Sequence, residues 1–209
     1  MMLYSYWRST TSLRVRAALN LKGVPYDIRC VNLTDGAQHR SGYAALNPAQ
    51  GVPTLVLDDG TVLTQSMAIL EWLDDAYPST ALLPSDPVAR AQVRAAAQII
   101  AMDIHPINNL KVTEHLKGMG HSADEVSDWM CHWMAQGFAA FQAMISPEGP
   151  FSFGDTLTQA DLCLVGQMVN ARRWGLDLTP FARLVSIDKA ARAIPAIAAA
   201  LPENQPDAL

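Results

Sequence analysis

Near the start of the chain four hydroxyl residues, Ser9, Thr10, Thr11 and Ser12, stand between a short strand-like run and a helix-patterned segment carrying Arg14 and Arg16. Ser and Thr are ordinary helix N-caps. A helix start lined with N–H groups and hydroxyl donors also seats an anion, whether carboxylate, phosphate or thiolate. A second place of this kind is Gln65-Ser66, where Ser66 is expected to cap a helix whose first N–H groups receive a carboxylate, with the Gln65 amide beside them. Between the two lies "GVPTLVL", in which Val52-Pro53 directly precedes a strand-like run. A cis peptide there turns the Val52 backbone toward the hydroxyl corner. The corner contains no cysteine, so a Cys-x-x-Cys redox couple is excluded and the site suits a thiol brought by another molecule.

The elements that must position these groups follow from the pattern. Residues 2–6 and 26–32 read as strands flanking a helix over 12–22, which Gly23 stops before Pro25. Residues 54–57 and 61–63 flank Asp58-Asp59-Gly60, a hairpin signal. A helix then runs from Ser66 to about residue 77. The order β-α-β, hairpin, helix is that of a thioredoxin-like α/β domain, assigned to residues 1–79. The proline-crowded "YPSTALLPSDP" marks a linker at 80–86. Residues 87–209 are Ala-rich and helix-periodic, interrupted at His105-Pro106, "SPEGP" and "FGDTLT", and read as an all-α domain. Thr158 and Asp161 in "DTLTQADL" have capping-box spacing.

Composition narrows the function classes. With half of its 209 residues hydrophobic, the chain can bury a substantial core. A formal charge of −5 and a pI near 5.4 argue against a phosphate-backbone partner, so no nucleic acid is expected. No apolar run reaches the ~18 residues of a membrane helix, and the start Met1-Met2-Leu3-Tyr4 shows no basic n-region, which predicts a cytoplasmic protein without membrane association. Cys30, Cys131 and Cys163 are odd in number and far apart, as reduced thiols are. His39, His115, His121 and His132 lack metal-ligand spacing, and no metal is expected.

The chain resembles the zeta-class glutathione transferases, the family of maleylacetoacetate and maleylpyruvate isomerases. The first-helix motif of that class, Ser-Ser-Cys-x-x-Arg-Val-Arg, is matched by Ser9-Thr10-Thr11-Ser12-Leu13-Arg14-Val15-Arg16. The likeness continues through "ALNP", "VPTL", "QSMAILEWLD", "LLPSDP", "DIHPINNLKV", "FGDTLTQADLCLV" and "DLTPF", nearly the whole chain. Thr11 departs from it, standing where many members carry Cys, which makes chemistry needing an enzyme cysteine a poorer expectation.

The resemblance implies glutathione as cofactor, a homodimer, and cis–trans isomerisation of a small dicarboxylate in aromatic-compound and tyrosine breakdown. Ser9, with Thr10 and Thr11 beside it, is then the catalytic corner that favours the thiolate, whose unperturbed pKa is about 8.5. The cofactor is expected on the Val52 backbone beside Pro53, on Gln65 and Ser66 at its γ-glutamyl end, and on Gln38 and Gln50 near its glycyl end. His105, Asn109, Leu110 and Lys111 are expected to add contacts from the same or a partner subunit. Arg8 and Arg173 are the expected grips on the substrate carboxylates, because a guanidinium binds a carboxylate bidentately. Two other classes fit the same fold: a transferase conjugating or dehalogenating small halogenated acids, and a glutathione-binding protein without catalysis. Loss of the hydroxyls or of Gln65-Ser66 would mark the last, and neither is lost.

Overall fold

In the computed structural model, which describes residues 1–208, strand β1 (Met2–Ser5) lies inside a four-stranded sheet. Its alternation buries Leu3 and Ser5 on one face. Helix α1 (Thr10–Leu21) crosses over to β2 (Asp27–Cys30), which pairs parallel with β1 in the register Met2 to Asp27. After α2 (Ser41–Leu46), β3 (Thr54–Val56) runs antiparallel on the other side of β1, with Leu55 opposite Leu3. The Asp58-Asp59-Gly60 turn returns β4 (Val62–Thr64) along β3, and Asp59 accepts the Thr61 N–H at 2.9 Å. The order is β2-β1-β3-β4, the mixed sheet of a thioredoxin-like domain.

Helix α3 (Ser66–Ala76) packs on α1, burying Ile69, Leu70 and Leu73 with Leu13 and Leu19. Burial of such side chains contributes about 1.5–3 kcal/mol each. At the far end of α1, Gly23 takes φ +65°. There the fully buried Lys22 side chain donates to Asp74 (2.9 Å) and to the carbonyls of Tyr77 (2.9 Å) and Thr80 (2.7 Å). One ammonium thus joins the ends of two helices and satisfies the carbonyl of Tyr77, the C-cap of α3, and that of Thr80 in the turn beyond it.

The helical unit begins with α4 (Pro87–Gln98), capped by Asp86 through the Ala89 N–H, and runs on as a π-helical segment, Ile99–Ile104. Next come α5 (Leu110–Gly118), α6 (Ala123–Met144), α7 (Gln159–Arg173) and α8 (Ala182–Arg192). Helix α7 is the core element, buried throughout Ala160–Met168. The Asp161 carboxylate accepts the Thr158 N–H (2.7 Å) and hydroxyl (3.0 Å) and reaches out to the Ser152 N–H (2.7 Å). The spacing that marked a capping box therefore also anchors the preceding loop.

The chain divides into Met1–Ala81 with the C-terminal residues from Arg192 on, and Leu82–Ala191. This differs from the expected division, which left 192–209 with the helical domain. The physical reason is Arg16, buried to 0 % exposure, whose Nε and Nη2 both donate to the Ala200 carbonyl (3.0 and 2.9 Å). Short helix α9 (Pro195–Ala198) packs on α1 beside it. Strands β1 and β2 are shorter than predicted, and α1 starts two residues earlier than the predicted 12–22 because Ser9 is its cap. Among the described residues no helix is long and apolar enough to cross a membrane.

Candidate active site

The hydroxyl corner is built by the end of β1 and the start of α1. Ser9 Oγ caps the helix by accepting the Ser12 N–H at 3.1 Å. Ser9 Oγ and Thr11 Oγ1 are 2.9 Å apart, and Thr11 Oγ1 donates to the Val52 carbonyl at 2.8 Å. The Val52-Pro53 peptide is cis. Residues 41 apart in sequence thus meet in one hydrogen-bonded corner, with Thr10 buried next to it.

The loop carrying Val52 is held from α2. Tyr43 Oη donates to the Gly51 carbonyl and lies 2.9 Å from Thr54 Oγ1, while Asn47 Nδ2 donates to the same two groups at 2.8 and 3.0 Å. Burial pushes the Tyr43 pKa up, which keeps the phenol a neutral donor. Gln38 and Gln50 are brought together by a residue that sequence reasoning treated only as a non-ligand: His39 Nε2 sits 3.0 Å from Gln38 Nε2 and His39 Nδ1 2.6 Å from Gln50 Oε1. In this arrangement the Gln38 amide donates to Nε2 and Nδ1 donates to the Gln50 amide oxygen. Gln50 holds φ +54° in this turn. The only sequence signal for His39 is its adjacency to Gln38.

At the start of α3 the structure corrects one expectation. Ser66 is the first helical residue and not the cap; Gln65 occupies the cap position at φ +68° and makes no side-chain cap hydrogen bond. Behind Ser66 stands Arg14, 1 % exposed, whose Nη1 reaches Ser66 Oγ at 3.4 Å while Nε and Nη2 are buried without a hydrogen-bond partner. A helix N-terminus backed by a buried guanidinium is a strongly anion-favouring place.

Arg8 lies in the turn after β1 with its guanidinium 5.1 Å from the Trp7 ring and 5.7 Å from the Tyr6 ring, and its buried Nε has no partner. In the helical unit, Arg172 is bound to Asp188 at 2.6 Å, whereas the exposed Arg173 lies over the Trp174 ring at 5.3 Å. His105 follows the π-helical segment, and Asn109, the cap of α5, sets its Nδ2 3.4 Å from His105 Nε2 and its Oδ1 3.2 Å from the Lys111 N–H. Leu110 is the first residue of α5. A cavity of about 240 Å³ beside Met1, Tyr26 and Asp58 holds none of these groups.

Known proteins match the chain along nearly its whole length. The family described as "Glutathione S-transferase, N-terminal domain" matches residues 8–76. A maleylacetoacetate isomerase of Pseudomonas aeruginosa is 46 % identical over 209 residues, spanning 99 % of this chain and 98 % of the relative. The holo structure of a bacterial zeta-class maleyl pyruvate isomerase superposes with a TM-score of 0.96 at 45 % identity, covering 100 % of both chains. The chain belongs to the zeta-class glutathione transferases. A further relative, the maleylacetoacetate isomerase of Anaeromyxobacter dehalogenans 2CP-1, has been solved with dicarboxyethyl glutathione and citrate in its active site; it is 42 % identical with a TM-score of 0.88, covering 100 % of this chain and 97 % of its own. Against the class motif, this zeta transferase carries a hydroxyl at Thr11, and that hydroxyl is the group bonded to Val52.

Proposed function

We propose that this zeta-class transferase is a glutathione-dependent isomerase that converts a maleyl dicarboxylate, maleylacetoacetate or maleylpyruvate, to its fumaryl isomer. The observation that carries the reading is the gathering, within one unit, of the hydroxyl-lined start of α1, the Val52 backbone and the uncapped start of α3. The donor set fits glutathione. The α3 start, with Ser66 and Gln65 and the orphaned nitrogens of Arg14 behind them, suits the γ-glutamyl carboxylate. Val52 serves the cysteinyl backbone, and Gln38 and Gln50, joined by His39, serve the glycyl end. His105, Asn109, Leu110 and Lys111 are assigned further cofactor contacts.

Glutathione, when bound at this site, would supply a thiolate nucleophile for reversible addition to the cis double bond, chemistry that permits rotation to the trans isomer and returns the thiol unchanged. Ser9 would donate a hydrogen bond to that sulfur, and the start of α1 favours the negative charge, with Thr10 and Thr11 flanking Ser9. Each unit by which the thiol pKa falls is worth about 1.4 kcal/mol. Arg8, with its charge presented beside two aromatic rings, holds a substrate carboxylate, and Arg173 is assigned the other. Support for a dicarboxylate comes from the Anaeromyxobacter relative: dicarboxyethyl glutathione is the saturated thioether that thiol addition to a butenedioate produces.

The reading includes a cytoplasmic homodimer acting in aromatic-compound breakdown. Light scattering near twice 22.7 kDa supports the dimer, and a single-chain mass removes it. The activity is tested by following fumaryl product from each maleyl substrate with and without glutathione. Product only in its presence is expected; equal rates without it overturn the proposal.

A further inference from the structure

Each hydroxyl carries one proton, and at the start of α1 the protons can be assigned. A carbonyl only accepts, so the Thr11 proton is committed to Val52 O at 2.8 Å. The 2.9 Å contact between Ser9 Oγ and Thr11 Oγ1 then has a single direction, with Ser9 donating and Thr11 accepting. The Ser12 N–H already donates to the Ser9 oxygen at 3.1 Å. The chain of donors therefore runs from Ser12 to Ser9 to Thr11 to Val52, and the Ser9 proton points within the protein.

Granted the glutathione site proposed above, we propose that Thr11 is a positioning residue that competes with the bound sulfur for the Ser9 proton and thereby sets the acidity of the bound thiol. To reach a thiolate, Ser9 must turn its proton from Thr11 Oγ1 to the sulfur, which strips Thr11 of the donor it had. Thr11 cannot compensate by rotating, because its own proton is held by Val52. The Val52 loop is in turn fixed by Tyr43 and Asn47 on the Gly51 carbonyl. The contest exists because this chain has a hydroxyl here. A thiol in the same place is a weaker donor and acceptor and would release the Ser9 proton more readily.

The test is an ultraviolet titration of the thiolate of bound glutathione in the wild-type protein and in Thr11→Val, Thr11→Ser and Thr11→Cys. Valine keeps the shape of threonine without the hydroxyl. Its bound-thiol pKa is expected to fall by about half a unit to one unit, the scale of one hydrogen bond. Thr11→Ser is expected to restore the wild-type value, and Thr11→Cys to lie between. In a Ser9→Ala background, Thr11→Val is expected to shift nothing, because the contested proton is gone. Thr11→Ala serves the same test if valine perturbs the fold. An unchanged or raised pKa in both Thr11→Val and Thr11→Ala, with binding of S-methylglutathione intact, overturns the role of Thr11 and leaves the site standing. Failure of the wild-type protein to bind S-methylglutathione overturns the site and this role together.

Discussion

Ser9 does two jobs at once, closing the first turn of α1 and presenting the donor nearest to where the proposed sulfur sits. Ser9→Ala is therefore expected to cost about 1 kcal/mol of stability through the lost cap. It is also expected to lower turnover by about 10²-fold, the scale of removing one donor from a stabilised anion. Thr11→Ala is expected to cost less turnover, and steady-state kinetics of the two variants that reversed this order would move the thiolate partner to Thr11. Arg8→Met and Arg173→Met are each expected to cut kcat/KM for the dicarboxylate by an amount equivalent to about 2–5 kcal/mol, while glutathione affinity and turnover of a neutral aryl halide hold. Full dicarboxylate activity in both Met variants would pass the carboxylate grip to other side chains, His105 and Lys111 first. The hydroxyls were legible in the sequence because a helix cap is a local signal. Their proton order was not, since it depends on a carbonyl 41 residues away. The same holds for Arg14 behind Ser66, a pair separated by 52 residues.

Among elements, the π-helical segment Ile99–Ile104 is what turns the end of α4 into His105 and the α5 cap. It is seated on α6 at Gly137, where an added Cβ would overlap Cγ1 and Cδ1 of the buried Ile104. Gly137→Ala is expected to lower stability by about 1–3 kcal/mol through overpacking, checked by urea unfolding. Wild-type stability in that variant would mean that Ile104 has room to move. The sequence marked the break at His105-Pro106 but not its form, and the contact of this segment with Gly137 joins it to a distant residue on another helix. Lys22 makes the same point: it reads as a surface lysine at a helix end, yet its ammonium is buried on Asp74 and two carbonyls. Lys22→Met removes the ammonium's hydrogen bonds to that carboxylate and those carbonyls. A loss of about 1–3 kcal/mol is expected in the same unfolding experiment, and an unchanged stability would contradict the role given to the ammonium.

For the whole molecule, the sequence made the α/β-then-α order plain because the change from period-two runs to Ala-rich helical periodicity is strong. It hid the return of the C-terminal segment to the first unit. An Ala-rich tail continues the helical text, while its docking rests on Arg16, whose acceptor at Ala200 is 184 residues distant and whose burial pushes its pKa down to about 10. At neutral pH that guanidinium remains charged. The net charge of −5 gives the protein no general attraction for a dianion, so the local cations must supply it, and the cofactor must survive each cycle if the reaction is an isomerisation. The central claim is accordingly tested by counting free thiol against fumaryl product in a single reaction mixture holding glutathione at well below the substrate concentration. Many turnovers per glutathione with no loss of titratable thiol is the expected result. Thiol lost in proportion to substrate consumed would contradict it and make the protein a conjugating transferase.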